Sequence, residues 1–111
     1  MITNQEDNMK YVLLYHGQAA ENDQQRAAGM QAMASWYRQL GTALADGGAP
    51  FTGATRTVSS NGAEDGGLGP APTGYSILEA GSLAEATEIA KGCPLLRSGR
   101  KAVLYETFKA M

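Results

Sequence analysis

The chain has 111 residues, of which 43% are hydrophobic and 18% charged, and its formal net charge is −2. This length fits one domain with a single core, and the composition excludes a disordered chain. Because the basic residues form no block that follows a phosphate backbone, and no stretch approaches the ~20 apolar residues that span a bilayer, we expect neither nucleic-acid binding nor membrane insertion.

One cysteine, Cys93, and one histidine, His16, exclude an intrachain disulfide and a Cys/His zinc site. A lone cysteine suits a reducing compartment, and Met1–Asn8 is polar and acidic where a secretory signal is basic and then apolar. We therefore expect a cytoplasmic protein that holds no metal and no cofactor. Residues 1–8 are predicted to be a loosely ordered extension and residues 9–111 a single domain.

The first half of the chain predicts a strand, a helix and a second strand. Tyr11–Tyr15 is a short run of β-forming residues, bounded by polar Lys10 and by the break at His16-Gly17. From Gln24 to Asp46, apolar residues recur at spacings of three and four, as on the buried side of a helix, and Gly47-Gly48 follows as a C-terminal cap. These apolar residues are Met30, Met33, Tyr37, Leu40 and Leu44. Phe51–Ser59 is predicted to be the second strand, with a proline before it.

The second half predicts a loop, a strand, a helix and a last strand. Asn61–Pro72 is rich in glycine and proline, which indicates a flexible hairpin connection to a third strand, Gly74–Ala80. Ser82 and Glu85 form a capping-box pattern that opens the second helix. Its inward residues are predicted to be Leu83, Ala86, Ile89 and Ala90. Lys101–Phe108 is the fourth strand, with Val103 and Tyr105 on one face and Leu104 and Phe108 on the other.

The resulting order, βαββαβ, predicts an α+β fold of the ferredoxin-like kind. Right-handed crossovers place both helices on one face of a four-stranded antiparallel sheet. A sheet covered on one face only should alternate apolar and polar residues, but the first strand is apolar at both parities, with Tyr11, Leu13 and Tyr15 on one side and Val12 and Leu14 on the other. We therefore expect a second copy to cover the other face, giving a homodimer.

Four segments carry a family resemblance: Met9–Tyr15, Met33–Trp36, Gly74–Ala80 and Ser82–Ala86. Together they resemble the YCII-related, DGPF-type family, and the resemblance extends over Met9–Phe108. It implies a ferredoxin-like domain that dimerises into an α+β barrel, in agreement with the pattern of the first strand.

The resemblance also implies a histidine and an aspartate that face a cleft. The family's helix-one histidine falls near Gly29-Met30, where this chain has none, and the Asp-Gly-Pro-Phe motif is reduced to Asp65-Gly66. The resemblance therefore implies a fold and an assembly but leaves the activity open.

His16 is the best candidate for a catalytic residue, because it ends the first strand and a histidine exchanges protons near neutral pH. A histidine at a strand end is also explained by a bond to the backbone or by exposure to water. Arg56 can bind an anionic group, although an exposed arginine on a sheet explains it equally well. Asp65 can close over a ligand with its loop, although an Asp-Gly turn needs no ligand.

Aromatic and methionine side chains are predicted between the sheet and the first helix. They line either a ligand pocket or plain core. The residues are Tyr15, Met33, Trp36, Tyr37 and Tyr75. Cys93 has no second histidine to activate it and is interpreted as a small buried hydrophobe. The function predicted is a homodimeric small-molecule-binding protein or minor enzyme with its pocket between the sheet and the first helix. The alternative is a non-catalytic interaction or accessory module, because no catalytic constellation is complete.

Overall fold

The computed structural model describes residues 8–18 and 21–109, so the predicted N-terminal extension lies outside it except for Asn8. The elements in chain order are Met9–His16 (β1), Asp23–Leu40 (α1), Leu44–Pro50 (β2), Arg56–Ser59 (β3), Gly62–Asp65 (β4), Gly74–Ala80 (β5), Leu83–Ala90 (α2) and Lys101–Glu106 (β6). Short 3₁₀ turns follow α1 at Gly41–Ala43 and α2 at Pro94–Ser98.

The main sheet is antiparallel, with strand order β2-β5-β1-β6, and both helices pack on one of its faces. This arrangement confirms the predicted α+β class and is compatible with a ferredoxin-like fold. The core lies between sheet and helices and is centred on Leu13 and Leu78, each fully buried. Burial of a leucine side chain stabilises a fold by about 1.5–3 kcal/mol. The core therefore fixes which face of β1 and β5 points at the helices.

Both helices begin at side-chain caps. Asn22 Oδ1 accepts a hydrogen bond from the Gln25 backbone N–H at 2.8 Å, and Ser82 Oγ accepts one from the Glu85 N–H at 3.1 Å. Glu85 Oε1 in turn accepts from the Gly81 N–H at 3.3 Å, which confirms the predicted capping box with a partner one residue earlier. Each cap satisfies backbone donors that the first helical turn leaves without a partner.

Two residues predicted to face the core are exposed. Met30 is 67% exposed, because at 100° per residue it lies about 70° from the mean direction of the packed residues of α1. Leu83 is 43% exposed. Leu83 is the first residue of α2. A helical side chain points toward the helix N-terminus and covers the preceding turn, and no helical turn precedes Leu83.

The predicted end of the first helix is wrong. The helix was expected to continue to Asp46, but it ends at Leu40, where Gly41 turns the chain with φ 56°. Leu44 pairs with Leu78 and so belongs to β2. Leu40 and Leu44 are four residues apart, a spacing that fits the buried side of a helix. Leu44 nevertheless lies in a strand, because it pairs with β5.

The predicted second strand, Phe51–Ser59, is also wrong. The strand of the main sheet is β2, and the residues after Phe51 form a loop and then β3, which pairs with β4 in a separate two-stranded sheet. The region Asn61–Pro72 is therefore irregular only after Asp65. The last strand was expected to reach Phe108, but it ends at Glu106, so Phe108 lies beyond the strand and is 83% exposed. β5 has the predicted bounds.

Candidate ligand cleft and open sheet face

Four of the predicted site residues lie between the sheet and α1, where they are packed as core. Tyr15 and Trp36 are buried, and Met33 and Tyr37 are partly buried against them. The rings of Trp36 and Tyr37 are 5.8 Å apart and tilted by 35°. The space in which we expected a pocket is therefore filled by side chains of these residues.

A buried hydrogen-bond network ties this core together. The Tyr15 hydroxyl donates to Ser76 Oγ at 2.7 Å, and Ser76 Oγ donates to the Gly47 carbonyl at 2.8 Å. The Tyr37 hydroxyl is 3.0 Å from the same carbonyl and 2.9 Å from Ser76 Oγ. Burial raises the pKa of Tyr15, so its phenol stays neutral near physiological pH. The network holds β1, β5, β2 and α1 in place.

Sequence reasoning missed Ser76, although a signal for it exists. Strand β5 buries every second residue, and Ser76 occupies one of those positions between Gly74 and Leu78. A polar residue at a buried position needs a hydrogen-bond partner, and this one has three within reach.

Cys93 matches its predicted role. The residue is buried, and its Sγ lies 3.9 Å from Met33 Sδ. Burial raises the pKa of the thiol, which lowers the fraction of reactive thiolate. The structure thus confirms that Cys93 is a small buried hydrophobe.

His16 and Tyr75 lie on the opposite side of the sheet from the four core residues. His16 ends β1 opposite Lys101, and Tyr75 lies opposite Leu14. We name this side the open sheet face, because among the described residues neither helix packs on it. Its apolar centre consists of Val12, Leu14, Tyr75, Ile77, Val103 and Tyr105.

The remaining two predicted site residues lie on the β3–β4 hairpin and bind each other. Arg56 Nη1 is 2.6 Å from Asp65 Oδ1, and both side chains are exposed. An exposed ion pair contributes about 0–1 kcal/mol to stability. The eight predicted residues therefore occupy three separate places rather than one site.

A cleft of about 610 Å³ lies between two loops, residues 50–55 and 67–72, and we name it the loop cleft. The Gly66 N–H donates to the Thr55 carbonyl at 2.9 Å and closes one end. The Phe51 ring stacks on Tyr75 with centroids 5.9 Å apart and planes at 23°. Since Tyr75 belongs to the open sheet face, the loop cleft is continuous with that face.

A family model for the YCII-related domain matches residues 9–109. The chain belongs to the YCII-related family. A search of curated proteins found no match. The earlier resemblance, drawn from four short segments, is thus confirmed over nearly the whole described chain.

In this YCII-related domain, the two family features noted in the sequence lie apart. Asp65-Gly66, to which the resemblance assigned the Asp-Gly-Pro-Phe motif, directly precedes Gly67 and Leu68 in the wall of the loop cleft. Gly29-Met30, where the resemblance implied a histidine, lies on α1 in the helix layer. His16 is on the other face of the sheet and does not replace that histidine at its position.

The loop cleft is suited to binding rather than to acid–base chemistry. Its lining residues carry no titratable side chain. The Thr52 hydroxyl accepts from the Ala54 N–H at 3.2 Å, and the Thr55 hydroxyl donates to the Gly53 carbonyl at 3.1 Å, so both already serve the loop. Sequence reasoning did not identify Phe51 and Leu68 as site residues, because it assigned Phe51 to a strand and Leu68 to a flexible connection.

Two features are absent from residues 8–18 and 21–109. No group of three or more His, Cys, Asp or Glu side chains lies close enough together to hold a metal ion. None of the helices in this part of the chain has the length and apolar character needed to cross a membrane.

Proposed function

We propose that this YCII-related protein is a cytoplasmic homodimer that binds a small, uncharged and largely apolar molecule in the loop cleft. The open sheet face is the dimer interface. The observation that carries the proposal is the Phe51–Tyr75 stack, since it joins the cleft to the face.

The size and walls of the loop cleft support the ligand class. Its volume of about 610 Å³ lies within the range of about 300–1,000 Å³ that is typical of ligand pockets. The walls offer the Phe51 ring, the exposed Leu68 side chain and several prolines, with no charge to balance an ionic ligand. A neutral molecule that packs on these groups loses little hydration energy when it enters the cleft.

The side chains of the open sheet face support the dimer. Val103 is 40% exposed and Tyr105 52% exposed, on a face with an apolar centre. His16, Glu79 and Lys101 lie around that centre, as polar residues surround the centre of a protein interface. Two-fold apposition of this face buries the same apolar patch twice.

A light-scattering measurement tests the dimer. We expect the mass of a dimer at low micromolar concentration, and monomer after Val103→Lys, because the introduced ammonium would be buried without a partner. Tyr105→Lys is a second variant on the same face. Val58→Lys is the matched control, because Val58 is 74% exposed on the hairpin, away from this face. A monomeric wild-type protein would refute the interface.

Nile red, a neutral apolar dye whose fluorescence rises in apolar sites, tests the loop cleft. We expect saturable binding that Phe51→Ala abolishes. Phe108→Ala is the matched control, because Phe108 is exposed beyond β6 and does not line the cleft. The mass of each variant is measured in parallel to separate loss of binding from loss of the dimer.

A thermal-shift screen of neutral metabolites identifies the ligand. A compound at ten times its Kd stabilises the folded state by about 1.4 kcal/mol. The proposed binding function is refuted if Nile red does not bind, or if Phe51→Ala and Phe108→Ala reduce its binding equally. A dimer that binds nothing in the cleft would instead favour the non-catalytic interaction module.

A further inference from the structure

A second concavity, of about 250 Å³, lies between α1 and the 3₁₀ turn Pro94–Ser98. We name it the α1–turn cavity. Gln25, Gly29 and Ala32 form its helix wall at positions i, i+4 and i+7, which share one side of a helix. The turn supplies Pro94, Leu95, Arg97 and Ser98, and Arg100 follows. The cavity is in the helix layer, on the other side of the sheet from the open sheet face.

Gly29 leaves extra room in this cavity at a cost to the helix. A glycine inside a helix is less favourable than alanine by about 0.5–1 kcal/mol. A Cβ built on Gly29 meets no atom within 4 Å, and the residue does not have positive φ. Neither packing nor backbone conformation therefore requires glycine here, and its effect is to leave room in front of α1.

Two arginines that form no ion pair within the described residues border the cavity, so their charges are free to bind a ligand. In the described parts of the chain, neither Arg97 nor Arg100 forms an ion pair with a carboxylate. Arg100 is half-buried, and its aliphatic stem packs against Gly17, where an added Cβ would be 2.9 Å from Arg100 Cγ. This contact holds the Arg100 stem in place beside the cavity.

The polar side chains of the cavity also favour an acceptor ligand. Gln25 Oε1 accepts from the Glu21 N–H at 2.9 Å, which leaves the amide NH₂ of Gln25 as a donor. Ser98 Oγ donates to the Leu95 carbonyl at 2.8 Å, so its proton is already in use. The donors that remain are one amide and two guanidinium groups, and guanidinium binds oxyanions through paired hydrogen bonds.

We propose that the α1–turn cavity is a binding site for a small organic oxyanion, a short-chain carboxylate or a small phosphate ester. The guanidinium groups of Arg97 and Arg100 bind its oxyanion, and Ala32, Pro94 and Leu95 contact its short apolar part. The volume equals about eight water molecules at roughly 30 Å³ each, which limits the ligand to a few carbon atoms. This site is independent of the proposed loop-cleft function, and a dimer through the open sheet face leaves it accessible.

Titration of the ¹⁵N-labelled protein with inorganic phosphate and, separately, with acetate and succinate tests the site at constant ionic strength. We expect saturable shifts at the Gln25 side-chain amide and at the backbone of residues 94–100. Arg100→Gln should weaken binding by about tenfold or more, the effect of losing a charge-assisted hydrogen bond. Arg38→Gln is the matched control, since it removes the same charge from α1 outside the cavity.

Gly29→Ala provides the sharpest readout, because its two effects have opposite signs. The melting temperature should rise, since alanine favours the helix, while the affinity for the anion falls as the new methyl group enters the cavity. A response to phosphate alone or to the carboxylates alone identifies the oxyanion class. The proposal is overturned if no anion gives saturable shifts, if Arg38→Gln weakens binding as much as Arg100→Gln, or if Gly29→Ala binds as the wild type does.

Discussion

Ser76→Ala is expected to destabilise the protein more than Tyr15→Phe, although each removes a single oxygen atom. Tyr15→Phe removes a donor and leaves Ser76 bonded to the Gly47 carbonyl. Ser76→Ala removes the acceptor and leaves the buried Tyr15 hydroxyl without the partner to which it donates. In both variants the Tyr37 hydroxyl still donates a hydrogen bond to the Gly47 carbonyl.

The magnitudes follow from what each change leaves unpaired. Tyr15→Phe loses one neutral hydrogen bond, about 0.5–1.5 kcal/mol of unfolding free energy. Ser76→Ala loses the bond to Gly47 and also leaves a buried hydroxyl unsatisfied, together about 2–4 kcal/mol. The double variant no longer contains the unsatisfied hydroxyl. It should therefore be more stable than Ser76→Ala alone by about 1 kcal/mol.

Urea unfolding followed by Trp36 fluorescence measures these differences, with protein concentration held constant because a dimer's stability depends on it. The three variants and the wild type form a double-mutant cycle. If Ser76→Ala costs no more than Tyr15→Phe, or if the double variant is the least stable of the four, the hydroxyl network is not a satisfied part of the core.

Three further predictions concern the backbone, the thiol and the phenol. Gly48 has φ 73°, and an added Cβ would be 1.8 Å from the Tyr75 carbonyl oxygen, so Gly48→Ala should cost more than about 2 kcal/mol in urea unfolding. Gly53→Ala, with φ 98° and open space, is the control and should cost about 1 kcal/mol. Cys93 should react with a thiol reagent only in denaturant, and fast reaction of the native protein would contradict its burial. Burial raises the pKa of Tyr15 above that of an unfolded tyrosine, about 10. The contribution of the neutral phenol to stability is therefore complete below pH ~10 and is lost as the pH rises above it. Tyr15→Phe should make the free energy of unfolding fall less steeply at alkaline pH, and an equally steep fall in both proteins would count against the pKa shift.

Local patterns were sufficient where a residue's neighbours in sequence are also its neighbours in space. The capping box at Ser82 and Glu85 and the bounds of β5 follow from such patterns. Local patterns did not predict the structure where the spacing of a residue is compatible with both a helix and a strand. Leu44 continues the helix stripe by spacing, but its pairing with Leu78, far along the chain, places it in a strand.

The site residues show the same division. The composition of the sequence identified aromatic side chains at Tyr15, Tyr37 and Tyr75, but the alternation of a strand sends Tyr15 and Tyr75 to opposite faces once β1 and β5 are in register. Arg56 and Asp65 were predicted as separate ligand contacts, and the hairpin brings them together as an ion pair. Each outcome depends on which strands pair.

The sequence by itself determined the class of the protein, the order of its main elements and the two apolar faces of β1, because these depend on residue type and spacing. Only the tertiary structure decided where α1 ends, how the polar atoms of the core are satisfied, and where open space remains. Gly29 belongs to a helix in either case, but the cavity in front of it exists only because a turn more than 60 residues later packs beside α1. The packing of residues far apart in the sequence cannot be predicted from any one local segment of the chain.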